Sequence, residues 1–299
     1  MSLRPGFLIV DKPLGATSFS MVSLVRRLAG VRRVGHAGTL DPLASGVLPV
    51  AVGAATRLIE YLDDAPKTYV AVVRLGAATT TFDAEGDVTE TRDPSGVRRE
   101  DIEAALREFV GDIEQVPPRY SALKVAGKPM YAYAREGAEI EAKPRRVRID
   151  SISVLGYASP DVEIEVVCGK GTYIRSLAHD LGARLGCGAH LAALRRTASG
   201  GFTLHDAHTP DELVSAHARG ELEEPLLAPD RAVERRPAAI FTDASVAAIE
   251  AGRDVSLASD SRANLCRAYS VSGNFLGVLA PAGSGRWHPE KVFSDAEKG

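Results

Sequence analysis

Cysteine, tryptophan and long apolar runs are what this 299-residue chain has least of. Its three cysteines, Cys168, Cys187 and Cys266, are odd in number, far apart and free of any C-x-x-C pair. That excludes a disulfide framework and a structural zinc site. No stretch reaches the roughly 20 apolar residues that a membrane-spanning helix needs. The apolar run at residues 7–10 is also too short for a signal h-region. No G-x-S-x-G, G-x-x-x-x-G-K-[ST] or H-E-x-x-H motif is present, so the nucleophile elbow, the P-loop and the zincin helix are all missing. A cytoplasmic protein with no metal, no cofactor and no membrane is expected.

What is there is ordinary in bulk and uneven in detail. The chain is 45% hydrophobic and 25% charged, with a net charge of −3, and its length suggests about two domains. Basic residues exceed acidic ones in residues 1–60 and again in 116–148, where eight Lys or Arg face three Asp or Glu. Residues 61–115 between them are acidic. Because screening limits exposed charges to a range of about 8 Å, a basic surface binds phosphate whatever the total.

Pattern and punctuation give a coarse map. Residues 7–10 read as a strand, followed by a helix N-capped by Ser18, with Val22, Val25 and Leu28 on one face and an end at Gly30. Residues 35–57, dense in Gly and Pro, read as a shaped loop. Strands are expected at 69–75, 147–154, 162–168, 266–270 and 275–278. Helices are expected at 99–110 and around Ile174, Leu177, Ala178, Leu181 and Leu185, with a helix and linker over 208–237. Residues 83–97 read as an acidic connection.

One carboxylate stands out. Asp41 lies in a loop rich in Gly, Leu and Val, with apolar neighbours on both sides and Pro42 next to it. Proline holds the preceding residue out of the helical region. An isolated Asp-Pro is a turn signal, but sixteen such residues around one acid exceed what a turn requires.

Residues 35–50 closely resemble the signature of the TruB family of tRNA pseudouridine synthases, in which this aspartate is the catalytic nucleophile. The resemblance extends in order along residues 7–200. It includes Asp11-Lys12-Pro13-Leu14-Gly15-Ala16-Thr17-Ser18, Lys67-Thr68-Tyr69 with Leu75-Gly76, Pro117-Pro118-Arg119-Tyr120-Ser121-Ala122-Leu123-Lys124, Gly171-Thr172-Tyr173-Ile174-Arg175, and His190-Leu191 with Leu194-Arg195-Arg196. More loosely, Gly273-Asn274-Phe275-Leu276-Gly277 and His288-Pro289-Glu290-Lys291-Val292-Phe293 resemble a small PUA-like RNA-binding domain.

The resemblance implies a mixed α/β catalytic domain over residues 1–235, an RNA-clasping insertion at about 116–148, and a β-rich PUA-like domain over 236–299. It implies an isomerase, an intramolecular transferase that turns uridine 55 in the T-loop of tRNA into pseudouridine without a cofactor, acting as a monomer on the tRNA T-arm. Asp41 would be the ionised carboxylate, Arg175 its neighbouring cation and Tyr69 a packed ring beside the sugar. Tyr173 and Leu194 would line the uracil pocket, His36 would fill the space left by the flipped base, and Lys12 would support the pocket or a phosphate. Arg119, Lys124, Arg145, Arg146 and Arg148 would hold RNA. A glycosidic hydrolase would usually need a second carboxylate opposite the first, and Asp11 is the only other acid before Glu60. The alternative is a non-catalytic tRNA-binding or tRNA-folding protein of the same fold.

Overall fold

The computed structural model of the chain describes residues 3–121, 123–125, 128–130, 133, 142–257 and 263–293. Two compact units divide it: Met1–Pro42, Gly46–Asp64 and Ser199–Gly299 form the first, Leu43–Ser45 and Ala65–Ala198 the second. In chain order, the elements that position functional residues are β1 (Gly6–Lys12), α1 (Ser18–Ala29), β2 (Ala44–Val52), β3 (Lys67–Leu75), β4 (Gly111–Gln115), β5 (Arg145–Ala158), β6 (Asp161–Cys168), α2 (Ile174–Leu185) and β7 (Ala189–Ser199). Among the described residues no helix is long and apolar enough to cross a membrane.

In the first unit β1 runs antiparallel to β2, with Leu8 opposite Val50 and Ile9 opposite Pro49. Of residues 35–57, expected as a loop from their Gly and Pro content, only 37–43 are one. The apolar run from Val47 to Val52 is buried throughout, and this continuous burial outweighs the punctuation. A short strand, Val34–His36, pairs along β2, and a 3₁₀ turn follows at Gly53–Leu58. Helix α1 buries Met21, Val22, Val25 and Leu28 and ends at Gly30, whose φ of 67° is left-handed. Its cap is Thr17, which accepts from the Ser20 N–H. Ser18, expected as the cap, is the first helical residue and has another use described below.

The same unit carries a five-stranded sheet built from Ala238–Phe241, Cys266–Ser270, Phe275–Gly283, Arg286–Val292 and Val255–Ser256. Phe241, Ile249, Leu279 and Trp287 fill its core, as the β-rich reading of this region anticipates. Val278 and Phe293 instead join Phe7, Ile9 and Val47 in one apolar cluster.

In the second unit the strand order is β7-β3-β6-β5-β4, antiparallel from β3 through to β4. Strand β3 alternates, turning Lys67, Tyr69, Ala71, Val73 and Leu75 inward. Strands β4 and β7 are absent from the sequence map, and the expected helix at 99–110 stops at Arg107. Strand β5 is longer than expected at both ends.

Helix α2 buries Ile174, Leu177, Ala178 and Leu181. It lies so close to the start of β7 that a Cβ on Gly182 would stand 2.0 Å from the Ala189 nitrogen. Such a contact is backbone against backbone and has no rotamer to relieve it. Gly182→Ala is therefore expected to destabilise the fold by about 1–3 kcal/mol or more. A denaturant midpoint equal to that of the wild type would disprove this tight packing.

Candidate active site

In the first unit a set of short polar contacts ties the turn after β1 to the Asp41 loop. The Gly15 N–H donates to the Pro42 carbonyl at 2.8 Å. Ser18 Oγ accepts from the Leu40 N–H at 2.9 Å and donates to the Leu40 carbonyl at 3.0 Å. A serine at the first helical position thus clamps both backbone groups of the residue preceding Asp41. Lys12 is fully buried, and its Nζ donates to the Pro13 carbonyl at 3.0 Å and the Ala16 carbonyl at 2.6 Å. Asp41 itself is half-buried, less enclosed than its apolar neighbours suggest; Leu40 is the buried one. His36 ends the short strand Val34–His36 and lies opposite Val50.

In the second unit the centre is Arg175 in the first turn of α2. A residue at a helix start is usually exposed, yet Arg175 is only 4% exposed and Asp83 only 2%. The Arg175 Nη1 lies 3.3 Å from Asp83 Oδ2 and 3.4 Å from the Thr81 carbonyl, and Nη2 donates to the Tyr120 carbonyl at 2.8 Å. Asp83 also accepts from Thr81 Oγ1 and from the Glu85 N–H at 3.1 Å. The turn that presents Asp83 is strained, with Phe82 at φ 64°, a backbone region that a bulky residue rarely occupies. The Phe82 ring stacks on His179 of α2 at 3.9 Å.

The same helix start grips the segment that leads into the basic insertion. The buried Gln115 side chain accepts from the Tyr173 N–H at 2.8 Å and donates to the Tyr173 carbonyl at 3.0 Å. Ser176 Oγ donates to the Val116 carbonyl at 2.7 Å. Tyr173, Arg175 and Ser176 therefore fix residues 115–120. Tyr69 is buried on the inner face of β3, and Leu194 is half-buried on β7. Arg195, next to Leu194, donates to Ser45 Oγ at 3.4 Å.

The residues marked by the sequence fall into two sets. Lys12, His36 and Asp41 belong to the first unit; Tyr69, Arg119, Arg145, Arg146, Arg148, Tyr173, Arg175 and Leu194 belong to the second. Arg119, Arg145 and Arg146 are exposed. Arg148 is exposed too, but its guanidinium is engaged by Asp112 at 3.3 Å and Asp150 at 3.0 Å. The Lys124 side chain lies outside the described residues. Sequence reasoning missed Asp83 and Gln115. Asp83 was hidden among the exposed acids Glu85, Asp87 and Glu90, and the only signal for it was the uncharged run Thr79-Thr80-Thr81-Phe82 before it.

Comparison with known proteins gives a consistent result. Residues 26–174 match the model of the TruB family pseudouridylate synthase N-terminal domain, and residues 175–234 match that of the tRNA pseudouridylate synthase B C-terminal domain. The chain is similar to tRNA pseudouridine synthase B of Thiobacillus denitrificans (strain ATCC 25259 / T1), with 44% identity covering 98% of this chain and 97% of that protein. A second relative of the same name, from Dehalococcoides mccartyi (strain ATCC BAA-2266 / KCTC 15142 / 195), is 42% identical over 96% of each chain. Among solved structures, a chain of an H/ACA RNP bound to a substrate RNA containing 2′-deoxyuridine superposes with a TM-score of 0.75 at 28% identity, covering 97% of this chain and 85% of that one. A chain of a Cbf5-Nop10-Gar1 complex gives 0.75 at 29%, covering 98% and 86%. The fold is that of these pseudouridine synthases, a mixed α/β structure with a C-terminal domain.

Removing one partner of a buried ion pair strands the other without solvent. Asp83→Ala is therefore expected to cost about 3–5 kcal/mol in stability, with Asp83→Asn falling between it and the wild type. Urea unfolding checks this, and a loss under about 1 kcal/mol, the worth of an exposed pair, would contradict it.

Proposed function

The chain belongs to the TruB family of pseudouridylate synthases, and from that premise we propose that it isomerises uridine 55 in the T-loop of tRNA to pseudouridine. The observation that carries this reading is the 44% identity, across 98% of the chain, to a protein named tRNA pseudouridine synthase B. The reaction breaks the N1–C1′ glycosidic bond, turns the uracil while it is held, and forms a C5–C1′ bond. The C5 proton is lost and N1 gains one, so no redox partner is required. The chain acts in the cytoplasm as a monomer and without a cofactor.

A T-loop base is stacked, so flipping it out costs a few kcal/mol. His36 takes the vacated space in the RNA, and Tyr173 with Leu194 holds the uracil. Asp41 acts on the ribosyl centre as the ionised carboxylate. Support for this comes from the contacts of Gly15 and Ser18 with Pro42 and Leu40, which hold the loop rigid beside it. A nucleophile so fixed loses little freedom on reaching its target. Arg175 supplies a fixed positive charge and Tyr69 a ring at the sugar, while Lys12 supports the pocket from beneath.

The catalytic part comprises residues 1–235 and a PUA-like RNA-binding domain comprises 236–299. The family match that ends at 234 and the five-stranded sheet that begins at Ala238 support this division. RNA phosphates lie along Arg119, Lys124, Arg145 and Arg146 of the clasping insertion, with Arg148 contributing less because Asp112 and Asp150 already engage it.

Two outcomes follow. Wild-type protein forms pseudouridine at position 55 of an unmodified tRNA transcript, mapped to the nucleotide, and Asp41→Asn forms none while still binding. Product from Asp41→Asn would remove the carboxylate from the mechanism. No product from a wild type that binds tRNA would move the reading to a binding or RNA-folding role. Separately, replacing Arg145, Arg146 and Arg148 together by Gln weakens tRNA binding and reduces the slope of log K against log salt by about 1.4–1.8, the loss of two phosphate contacts at roughly 0.7–0.9 each, rather than the roughly 2.1–2.7 of three. An unchanged slope would take these residues out of the RNA path.

A further inference from the structure

Helix α1 has a second face that the proposed chemistry leaves unused. Its apolar stripe is buried, but Phe19 on the opposite side is 68% exposed, and Leu14, in the turn that precedes the helix, is 72% exposed. A lone exposed apolar residue needs no explanation. Phe19, however, continues through Ser23 to Arg27 at i, i+4 and i+8, a spacing that puts all three on one side of a helix. Eight residues at 1.5 Å each separate Phe19 from Arg27 by about 12 Å.

Beyond the helix end the same character persists. Arg27, Arg32 and Arg33 are exposed. Arg26 turns back instead, its Nε donating to the Arg32 carbonyl at 3.2 Å and its Nη2 to the Val34 carbonyl at 3.4 Å. That contact holds Arg32 and Arg33 against the helix end and leads into the strand that carries His36. Between Asp11 and Asp41 the sequence contains no Asp or Glu. The surface therefore has an aromatic ring at one end, arginines at the other, and no acid contributed by its own stretch of chain. It is also fixed to the Asp41 loop through Ser18 and Leu40.

We propose that this face of α1, from Phe19 through Arg27 to Arg32 and Arg33, is a further contact surface for the RNA substrate. An unstacked nucleobase lies on the Phe19 ring, and the arginines hold the phosphates that follow it. An aromatic platform combined with a basic track is the arrangement that binds looped or single-stranded RNA irrespective of sequence. A protein partner reading the same patch would need acidic groups of its own, and the charge pattern favours the polyanion already assigned as substrate. The inference rests on the RNA-modifying function proposed above and extends its footprint.

The test uses the full chain with an unmodified tRNA transcript and three variants: Phe19→Ala, Phe19→Trp, and a triple Arg27→Gln, Arg32→Gln, Arg33→Gln. Equilibrium binding is measured over a salt series, alongside pseudouridine formation. Phe19→Ala is expected to weaken binding at least about fivefold, with the loss appearing in KM, and Phe19→Trp to restore it. The triple variant lowers the salt slope by about 2–3. Thermal unfolding identical to wild type in all three confirms that the effects are not losses of fold. Wild-type affinity and slope in both Phe19→Ala and the triple variant would overturn the proposal. So would a Phe19→Trp protein as weak as Phe19→Ala, because stacking would then not be the interaction. A wild type that binds tRNA and makes no pseudouridine would defeat the function reading alone, since the binding series judges this surface independently.

Discussion

The second unit depends on one buried ion pair. Moving a guanidinium and a carboxylate out of water costs several kcal/mol for each ion, and their attraction repays this only if the remaining donors and lone pairs are also satisfied. Arg175 and Asp83 meet that condition through groups drawn from distant parts of the chain. Thr81 supplies a carbonyl to the arginine and a hydroxyl to the aspartate, Glu85 supplies an N–H, and Tyr120 supplies a carbonyl. Satisfying one cation thus brings together the turn at residues 79–86, the entrance to the basic insertion and the first turn of α2. The left-handed Phe82 persists under the same constraint, pressed on His179. Strain of this kind, of order 1–3 kcal/mol, survives only where its surroundings over-determine it.

The first unit reaches rigidity by a different route. Around Asp41 the restraints are neutral hydrogen bonds and one buried ammonium directed at backbone carbonyls. Each neutral bond contributes about 1 kcal/mol net, and the loop needs several. They fall on the backbone of Leu40 and Pro42, the two residues that flank Asp41. Restraints on both flanking residues fix the backbone that carries the carboxylate. Lys12 is buried, and its ammonium donates to the Pro13 and Ala16 carbonyls of the turn that follows it.

Much of this was legible in the sequence, for identifiable reasons. Val22, Val25 and Leu28 reported α1 because a half-buried helix writes its period into the chain. The apolar run at 69–75 likewise reported β3, and the alternating burial that turns Tyr69 inward came only with the structure. Asp41 was legible because its neighbours were wrong for a simple turn. Strand β2 was misread because Gly46 and Pro49 are punctuation in isolation, and only pairing with β1 and the strand at Val34–His36 makes the run a sheet element. Strand β4 was hidden by its charge, since Asp112 and Glu114 face solvent, Ile113 is only half-buried and the one fully buried residue is Gln115. The identity of the partners of Arg175 was not legible at all. Residues 83, 120 and 175 are distant in sequence, and no local pattern records that a helix-start arginine is buried.

The acidic total was the least reliable guide, and the structure explains why. Several carboxylates of residues 61–115 are committed to arginines of the second unit: Asp83 to Arg175, Glu90 to Arg92, Asp101 to Arg98, Glu103 to Arg99, Glu108 to Arg184 and Asp112 to Arg148. A paired acid cancels a nearby cation and contributes little field at a distance. Its count in the net charge is therefore not a count against binding a polyanion. Exposed bases without a local acid weigh far more, because within a Debye length of about 8 Å each is felt almost alone. Arg27, Arg32 and Arg33 are exposed in a stretch of chain that holds no acid, whereas Arg148 is engaged by Asp112 and Asp150. Two arginines equal in composition differ in what they offer an RNA, and the difference lies in which carboxylates the fold brings beside them.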